Sequence, residues 1–267
     1  MESQPEYVNK LLIAEKEGSM KVVASEEMSF LINLLPFAVV FQHFLGQVNP
    51  VTVGNISAKK QKEIVDRHNA VRTGVKPTAS NMLKMTWDPK ASETAKKWAG
   101  KCKGQTSPKE ERVVDGIYCG ENILITTKPT SWSAIITDWS AKAVNFQYGR
   151  GPINDINLSD VYTQLVWYNS HRVGCAVAHC PKEMVPFIYV CHYCPVGNII
   201  QSLTKPYKAG EPCADCPNHC ENNLCTNPCS YVDHIVGCDK LLKMSNCNED
   251  FFGKNCQATC KCKTEIK

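Results

Sequence analysis

The cysteines of this chain are confined to one part of it. None occurs in residues 1–101, six lie between Cys102 and Cys194, and ten fall within the fifty residues from Cys213 to Cys262. A stretch that dense in cysteine has too few apolar side chains to build a core of its own and must be held by cross-links. The preceding region is different: at 43% hydrophobic residues, a chain of 267 can fill a sizeable core in one medium domain. A wholly disordered chain is excluded. So is the electrostatic footprint of a nucleic-acid binder, because 30 Lys and Arg against 26 Asp and Glu leave only +4, evenly spread. The even, locally dense cysteine count implies disulfides made in an oxidising compartment, and hence a secreted, extracellular protein.

Phe30–Phe41 (FLINLLPFAVVF) supplies an address for that compartment. The run is too short, and is broken by Pro36, to span roughly 30 Å of hydrocarbon, but it suits the apolar segment of a secretory signal. Small and polar residues at Gly46 and Gln47 place cleavage nearby. Glu26 and Glu27 precede the run where basic residues belong, so Met28 reads as the effective start and residues 1–27 as an extension. Residues 1–46 are thus read as extension plus signal. Their removal takes away three Lys and six Glu and leaves a charge of +7. That balance favours peripheral association with anionic cell surfaces over integral membrane insertion.

Helical periodicity opens the mature region, with Ile64, Val65, His68 and Val71 on one face. Asp88 and Pro89 are a cap and first turn for a second helix with the inward stripe Ala91, Ala95, Trp98 and Cys102. A third helix begins near Ser131 or Ser133 and carries Ile135, Ile136 and Trp139, followed by the loop-like Asn145–Pro152. Val173–Cys180 and Phe187–Cys194 read as the antiparallel strands of a hairpin. Helices mixed with antiparallel strands indicate an α+β sandwich. Residues 199–212 read as a linker, and the cysteine-dense part divides into four cysteines from 213 to 225, with Asn222 and Asn223 at a tight turn, and six from 229 to 262.

Few motifs carry chemistry. Cys213-x2-Cys216 and Cys191-x2-Cys194 have the spacing of redox pairs or half zinc sites, but Cys191 and Cys194 end a strand beside Pro195, and oxidising secretion removes free thiolates. Structural disulfides are the better reading. Asn55-Ile56-Ser57 and Asn157-Leu158-Ser159 are glycosylation sequons in segments expected to be exposed. His68 sits on an amphipathic helix, and His179 and His192, from the two hairpin strands, are placed to approach each other, with no carboxylate assigned to orient either. No G-x-S-x-G elbow is present. Composition and spacing give no catalytic constellation, so no enzyme and no cofactor are expected.

Val161–Ser170 (VYTQLVWYNS), Ile188–Ile199 (IYVCHYCPVGNI), His68-Asn69-x-Val71-Arg72, Asn81–Met85, Cys119-Gly120-Glu121-Asn122 and Leu224–Cys229 (LCTNPC) together resemble the cysteine-rich secretory proteins. The resemblance covers about residues 58–263, and Thr259–Lys267 is most similar to the mammalian epididymal, sperm-coating member. It implies a CAP (SCP) domain of α-β-α sandwich type over 58–198, a linker and cysteine-rich hinge over 199–228, and a short-helix ion-channel-regulator (ShKT-like) module over 229–262. It further implies the disulfides Cys102–Cys180, Cys119–Cys194, Cys175–Cys191, Cys213–Cys220, Cys216–Cys225, Cys229–Cys262, Cys238–Cys256 and Cys247–Cys260.

The family's groove holds two histidines and two glutamates able to bind zinc. Their positions here are Thr106, Glu121, Lys142 and Val161, so only one ligand survives and an ammonium group replaces another; no metal is expected, and Lys142 is a candidate partner of Glu121. The resemblance implies a secreted, non-enzymatic protein of reproductive-tract fluid and the sperm surface, coating sperm in epididymal maturation and taking part in fertilization through sperm and egg surface proteins. Ile188, Tyr189, Val190, His192, Tyr193, Pro195, Asn198 and Ile199 form the candidate egg-binding segment. The alternative is ion-channel regulation, on calcium or potassium channels, through Lys240, Lys243, Phe251, Phe252 and Lys254, although residues 229–267 hold only six Lys against five acids. A metal-dependent hydrolase is the third reading.

Overall fold

The computed structural model describes residues 50–153 and 159–267. The signal-like run, His43 and the sequon at Asn157 lie outside the described residues. The chain enters through β1 (Thr52–Gly54) and α1 (Ala58–Thr73), whose first turn is capped by the Ser57 hydroxyl accepting from Lys60 N at 3.4 Å. The buried face of α1 is Ile64, His68 and Arg72, while Val65 and Val71 sit half-buried on its shoulders. β2 (Thr86–Trp87) leads to α2 (Pro89–Ala99), where Asp88 accepts from Lys90 N at 2.8 Å and Ala91 N at 3.1 Å and Pro89 occupies the first turn. Ala91, Ala95, Trp98 and Ala99 point inward; Cys102 lies past the helix end at φ 56° and reaches Cys180 from there.

A short hairpin, β3 (Val113–Val114) with β4 (Ile117–Tyr118), precedes β5 (Gly120–Thr126). α3 (Trp132–Ala141) is capped by Ser131 and buries Ile135, Ile136 and Trp139. The loop-like segment after it contains the small pairing of β6 (Phe146–Gln147) with β7 (Gly151–Pro152). α4 (Asp160–Leu165) then leads to β8 (Arg172–His179) and β9 (Phe187–Cys194), the expected antiparallel hairpin.

The main sheet runs β1-β8-β9-β5, with β2 joining the β1 edge of β8 in parallel. One face packs on α2, where Ala95, Trp98 and Ala99 meet Ala176, Ala178, Ile188 and Val190. The close approach demands Gly174, since a Cβ there would collide with the backbone of Ala91 and Ser92. The other face packs on α1, α3 and α4, with Val173, Cys175, Tyr189 and Tyr193 in one cluster with Ile64, Trp132, Trp139 and Leu165. The result is an α-β-α sandwich.

Residues 199–212 are not a free linker. Leu203 and Tyr207 are buried, Ser80 N donates to Lys208 O at 2.8 Å, and Ala79 bridges Ala209. The hinge continues this attachment: β10 (Cys220–Glu221) and β11 (Leu224–Cys225) turn through Asn222 and Asn223, both at positive φ, and Cys225 exchanges backbone hydrogen bonds with Met82 and Lys84. Apolar Leu83, Tyr168 and Ile266 pack with the hinge cysteines, which fixes a segment whose Pro and Gly content alone suggests freedom. Beyond it, α5 (Cys238–Leu241), α6 (Asp250–Asn255) and α7 (Gln257–Lys261) are short helices with little apolar interior.

Eight disulfides join the same cysteine pairs that the family resemblance implies, and no cysteine is free. At about 2–4 kcal/mol each, the three that close the last module outweigh its small core. Among the described residues no helix is long and apolar enough to cross a membrane.

Candidate functional site

The four groove positions are only partly assembled. Glu121, second in β5, lies opposite His192 of β9, so the pairing register puts both side chains on the face toward α2. The carboxylate is buried: Oε2 lies 3.0 Å from His192 Nε2, Oε1 accepts from Ser107 N at 2.8 Å, and Arg112 Nη1 stands 3.6 Å away. Thr106 is brought alongside by that Ser107 bond, whereas Val161 lies behind the sheet on α4, where its carbonyl accepts from Asn122 Nδ2 at 2.9 Å. Lys142 is not brought in. Its ammonium faces Asp138 at 3.8 Å, one turn back on the same helix, which corrects the expected Lys142–Glu121 pair: a local i,i+4 partner is within reach, whereas Glu121 is already committed.

Electrostatics fix the protonation of this centre. Burial works to raise the Glu121 carboxyl, but the bonds from His192 and Ser107 hold it below the ordinary glutamate range; burial lowers His192 against the pull of Glu121. The pair is therefore a carboxylate and a neutral imidazole that donates from Nε2. His192 Nδ1 lies 2.8 Å from Thr94 Oγ1, which also reaches Ala91 O at 2.9 Å. Thr94, His192 and Glu121 have the order of a nucleophile–base–orienter relay, but the side chains of His192 and Glu121 are buried between sheet and α2. His192 does not meet His179 either: the register places His192 opposite Gly174, and His179 stacks on Phe187 at the other end of the hairpin. Thr94, Ser107 and Arg112 escaped sequence reading because nothing local links them to Glu121.

Behind the sheet, on the opposite face, lies a second polar chain. Asn122 Nδ2 donates to Tyr193 Oη at 3.4 Å, Tyr193 Oη lies 3.0 Å from His68 Nε2, and His68 Nδ1 lies 2.7 Å from Ile64 O. His68 is fully enclosed, and desolvation lowers its pKa to about 4, so it is neutral at pH 7 and donates to Ile64. Arg72, one turn on, is buried without a carboxylate. Its guanidinium donates to the carbonyls of Leu83, Leu165, Trp167 and Tyr168 at 2.8–2.9 Å. These groups hold the fold.

The candidate egg-binding segment is largely inaccessible. Ile188, Tyr189, Val190, His192 and Tyr193 are all buried, because β9 is a central strand covered on both faces. Those residues cannot present side chains to a partner, which corrects their assignment. Of the segment, Pro195, Asn198 and Ile199 are half-buried, and the intervening Val196 is exposed. In the last module Lys240, Lys243, Phe251 and Lys254 are exposed and Phe252 is half-buried. Phe251 and Phe252 meet edge to face at 5.2 Å on α6, and Lys254 pairs with Asp250 at 2.8 Å. Lys240 lies on α5 and Lys243 just beyond it. The sulfurs of Cys213, Cys216 and Cys225 lie within 4.8 Å of one another, a spacing that suits a metal, but all three are bonded as disulfides and offer no thiolate.

The sandwich, stapled by Cys102–Cys180, Cys119–Cys194 and Cys175–Cys191 and followed by a disulfide-rich extension, defines a CAP fold with an attached cysteine-rich module. Residues 65–193 match the model of the cysteine-rich secretory protein family (CAP), and residues 213–267 match the Crisp model. Solved structures agree on the fold. NaASP2 with Zn2+ is similar at 25% identity and TM-score 0.53, over 64% of this chain and 97% of that one. Na-ASP-1 is similar at 27% identity and TM-score 0.52, over 68% of this chain and 52% of its own. The hookworm platelet inhibitor, at 20% identity and TM-score 0.51 over 65% and 93%, shares the fold.

A structure of NaASP2 was solved with zinc, so the fit of that ion to the present residues is a fair question. They do not fit. Thr106 and Val161 offer no imidazole, Lys142 brings a positive charge, and the carboxylate of Glu121 is saturated by Ser107 and His192.

Proposed function

We propose that the protein is a secreted, non-enzymatic binding protein that acts through the exterior of a disulfide-stapled scaffold. The observation that carries this reading is the sealed state of Glu121: the one surviving ligand position of the groove is spent on holding His192 and Ser107 in place. Eight disulfides fit an oxidising, extracellular setting. The finer role follows the family resemblance: coating of sperm during epididymal maturation and contact with egg surface proteins. With β9 buried, the contact surface for such partners falls outside that strand. Zinc titrated calorimetrically into the oxidised protein is expected to give no binding in the micromolar range. Tight, stoichiometric uptake would restore the metal-dependent reading.

One observation favours a second reading. The edge-to-face Phe251–Phe252 pair, with Phe251 58% exposed, shares the last module with exposed Lys240, Lys243 and Met244, an arrangement suited to capping a channel mouth. Whole-cell recording from sperm with the full chain tests it: calcium and potassium currents unchanged at micromolar protein would remove this role.

A further inference from the structure

We propose that the cleft beside Asn55 seats the first sugar of an N-linked glycan carried by Asn55, making that glycan a structural part of the CAP domain. The proposal rests on the secreted reading, since the modification is made in the secretory route. Asn55-Ile56-Ser57 is a sequon, and Asn55 is exposed at the corner where β1 passes into α1. It stands at the edge of a cleft of about 270 Å³ walled by Gln61 of α1, Trp87 of β2, and Ser92, Glu93 and Lys96 of α2. That volume falls just short of the roughly 300–1,000 Å³ of sites for drug-sized molecules, and it suits a sugar ring. The chemistry suits one too. An indole offers an apolar surface to the C–H face of the ring, while the amide, hydroxyl, carboxylate and ammonium groups around it complement hydroxyls and an acetamido group.

The orientation of Asn55 is the second observation. Lys96 Nζ lies 3.3 Å from Asn55 Oδ1, and because an ammonium only donates, the amide oxygen faces α2 and leaves Nδ2 for the sugar. Gln61 Nε2 donates to Ile56 O at 2.9 Å and ties down the sequon backbone, so the attachment point is fixed. In the transfer, Nδ2 bonds to the anomeric carbon as that carbon's bond to the diphosphate of a lipid-linked donor breaks; the lipid diphosphate leaves, taking up the proton that Nδ2 loses.

The test uses the full chain with Asn157→Gln, secreted from mammalian cells, so that one sequon remains. The intact mass is expected to show a glycan at Asn55. A chain secreted with Asn55 bare overturns the proposal and leaves the secreted reading standing; a chain retained in the cytosol overturns both. With isotope-labelled N-acetylglucosamine, nuclear Overhauser contacts from the acetyl methyl to the Trp87 indole are expected, and a first sugar showing none overturns the seating. Trimming the glycan to that first sugar is expected to leave the melting temperature unchanged, whereas Asn55→Gln lowers it by about 2–4 °C. Equal melting of all three forms is the contrary result.

Discussion

Replacing Arg72 by Met is expected to lower the melting temperature by about 15 °C and to reduce the yield of secreted protein severely. The side chain is almost completely buried, and it supplies the donors for four carbonyls drawn from two separate parts of the chain. Two of the four keep a backbone donor, Trp167 O from Ser170 N and Tyr168 O from Leu83 N. Leu83 O and Leu165 O lose their side-chain donor in a buried setting, at about 1–3 kcal/mol each, and charge-assisted bonds are lost at the other two. A total of about 3–6 kcal/mol follows, and for a folded region of this size each kcal/mol moves the midpoint by about 2–4 °C. The damage should spread to the hinge, because Leu83 and Tyr168, which Arg72 grips, also pack on its cysteines and on Ile266. Arg72→Lys offers one ammonium where a fork is required and should recover only part of the loss. Calorimetric melting of both variants decides the matter; a shift below about 3 °C for Arg72→Met would mean that the guanidinium does not organise this corner.

Acidification from pH 7 to pH 4 is expected to cost about 5 kcal/mol of stability. His68 and His171 are both lowered to about 4 in the folded protein, in each case chiefly by desolvation. Arg72 opposes protonation of both, and Arg172 adds to this at His171, whereas the Ile64 and Asn169 carbonyls and the carboxylate of Asp88 favour it. In the unfolded chain these imidazoles titrate near 6.5. The folded state binds fewer protons between those values, so the stabilisation is complete above pH 6.5 and is lost as pH falls toward 4. The fully enclosed His68 contributes about 3 kcal/mol of that loss and the half-buried His171 somewhat less. His192 is lowered too and adds in the same direction. Denaturant midpoints across this range in wild type and His68→Gln check the reading: the variant should show a shallower fall. A wild-type stability flat between pH 7 and pH 5 would contradict it.

Local signals made much of the sandwich legible. Asp88 followed by Pro89 announced a helix start, Ala91, Ala95 and Trp98 gave its face, and the β-branched and aromatic runs after Val173 and Phe187 gave the hairpin. The groove positions were readable by resemblance, but their state was not. The partner of Glu121 is His192, 71 residues away, and only the antiparallel register of β5 on β9 brings them together. The burial of Arg72 had no local signal, because the carbonyls that surround it come from Leu83 and from Leu165, Trp167 and Tyr168. The Pro- and Gly-bearing stretch 199–212 looked like a linker because Tyr207 and Leu203 are isolated apolar residues in sequence and find their contacts only on the distant CAP surface.

The most direct measurement of the proposed role is equilibrium binding of fluorescent, fully oxidised protein to immature epididymal sperm, with and without a chelator. Saturable binding that unlabelled protein competes away and that the chelator leaves intact is the expected result. No saturable component, or binding that disappears with the chelator and returns with zinc, would contradict a scaffold that works through its surface without a cation.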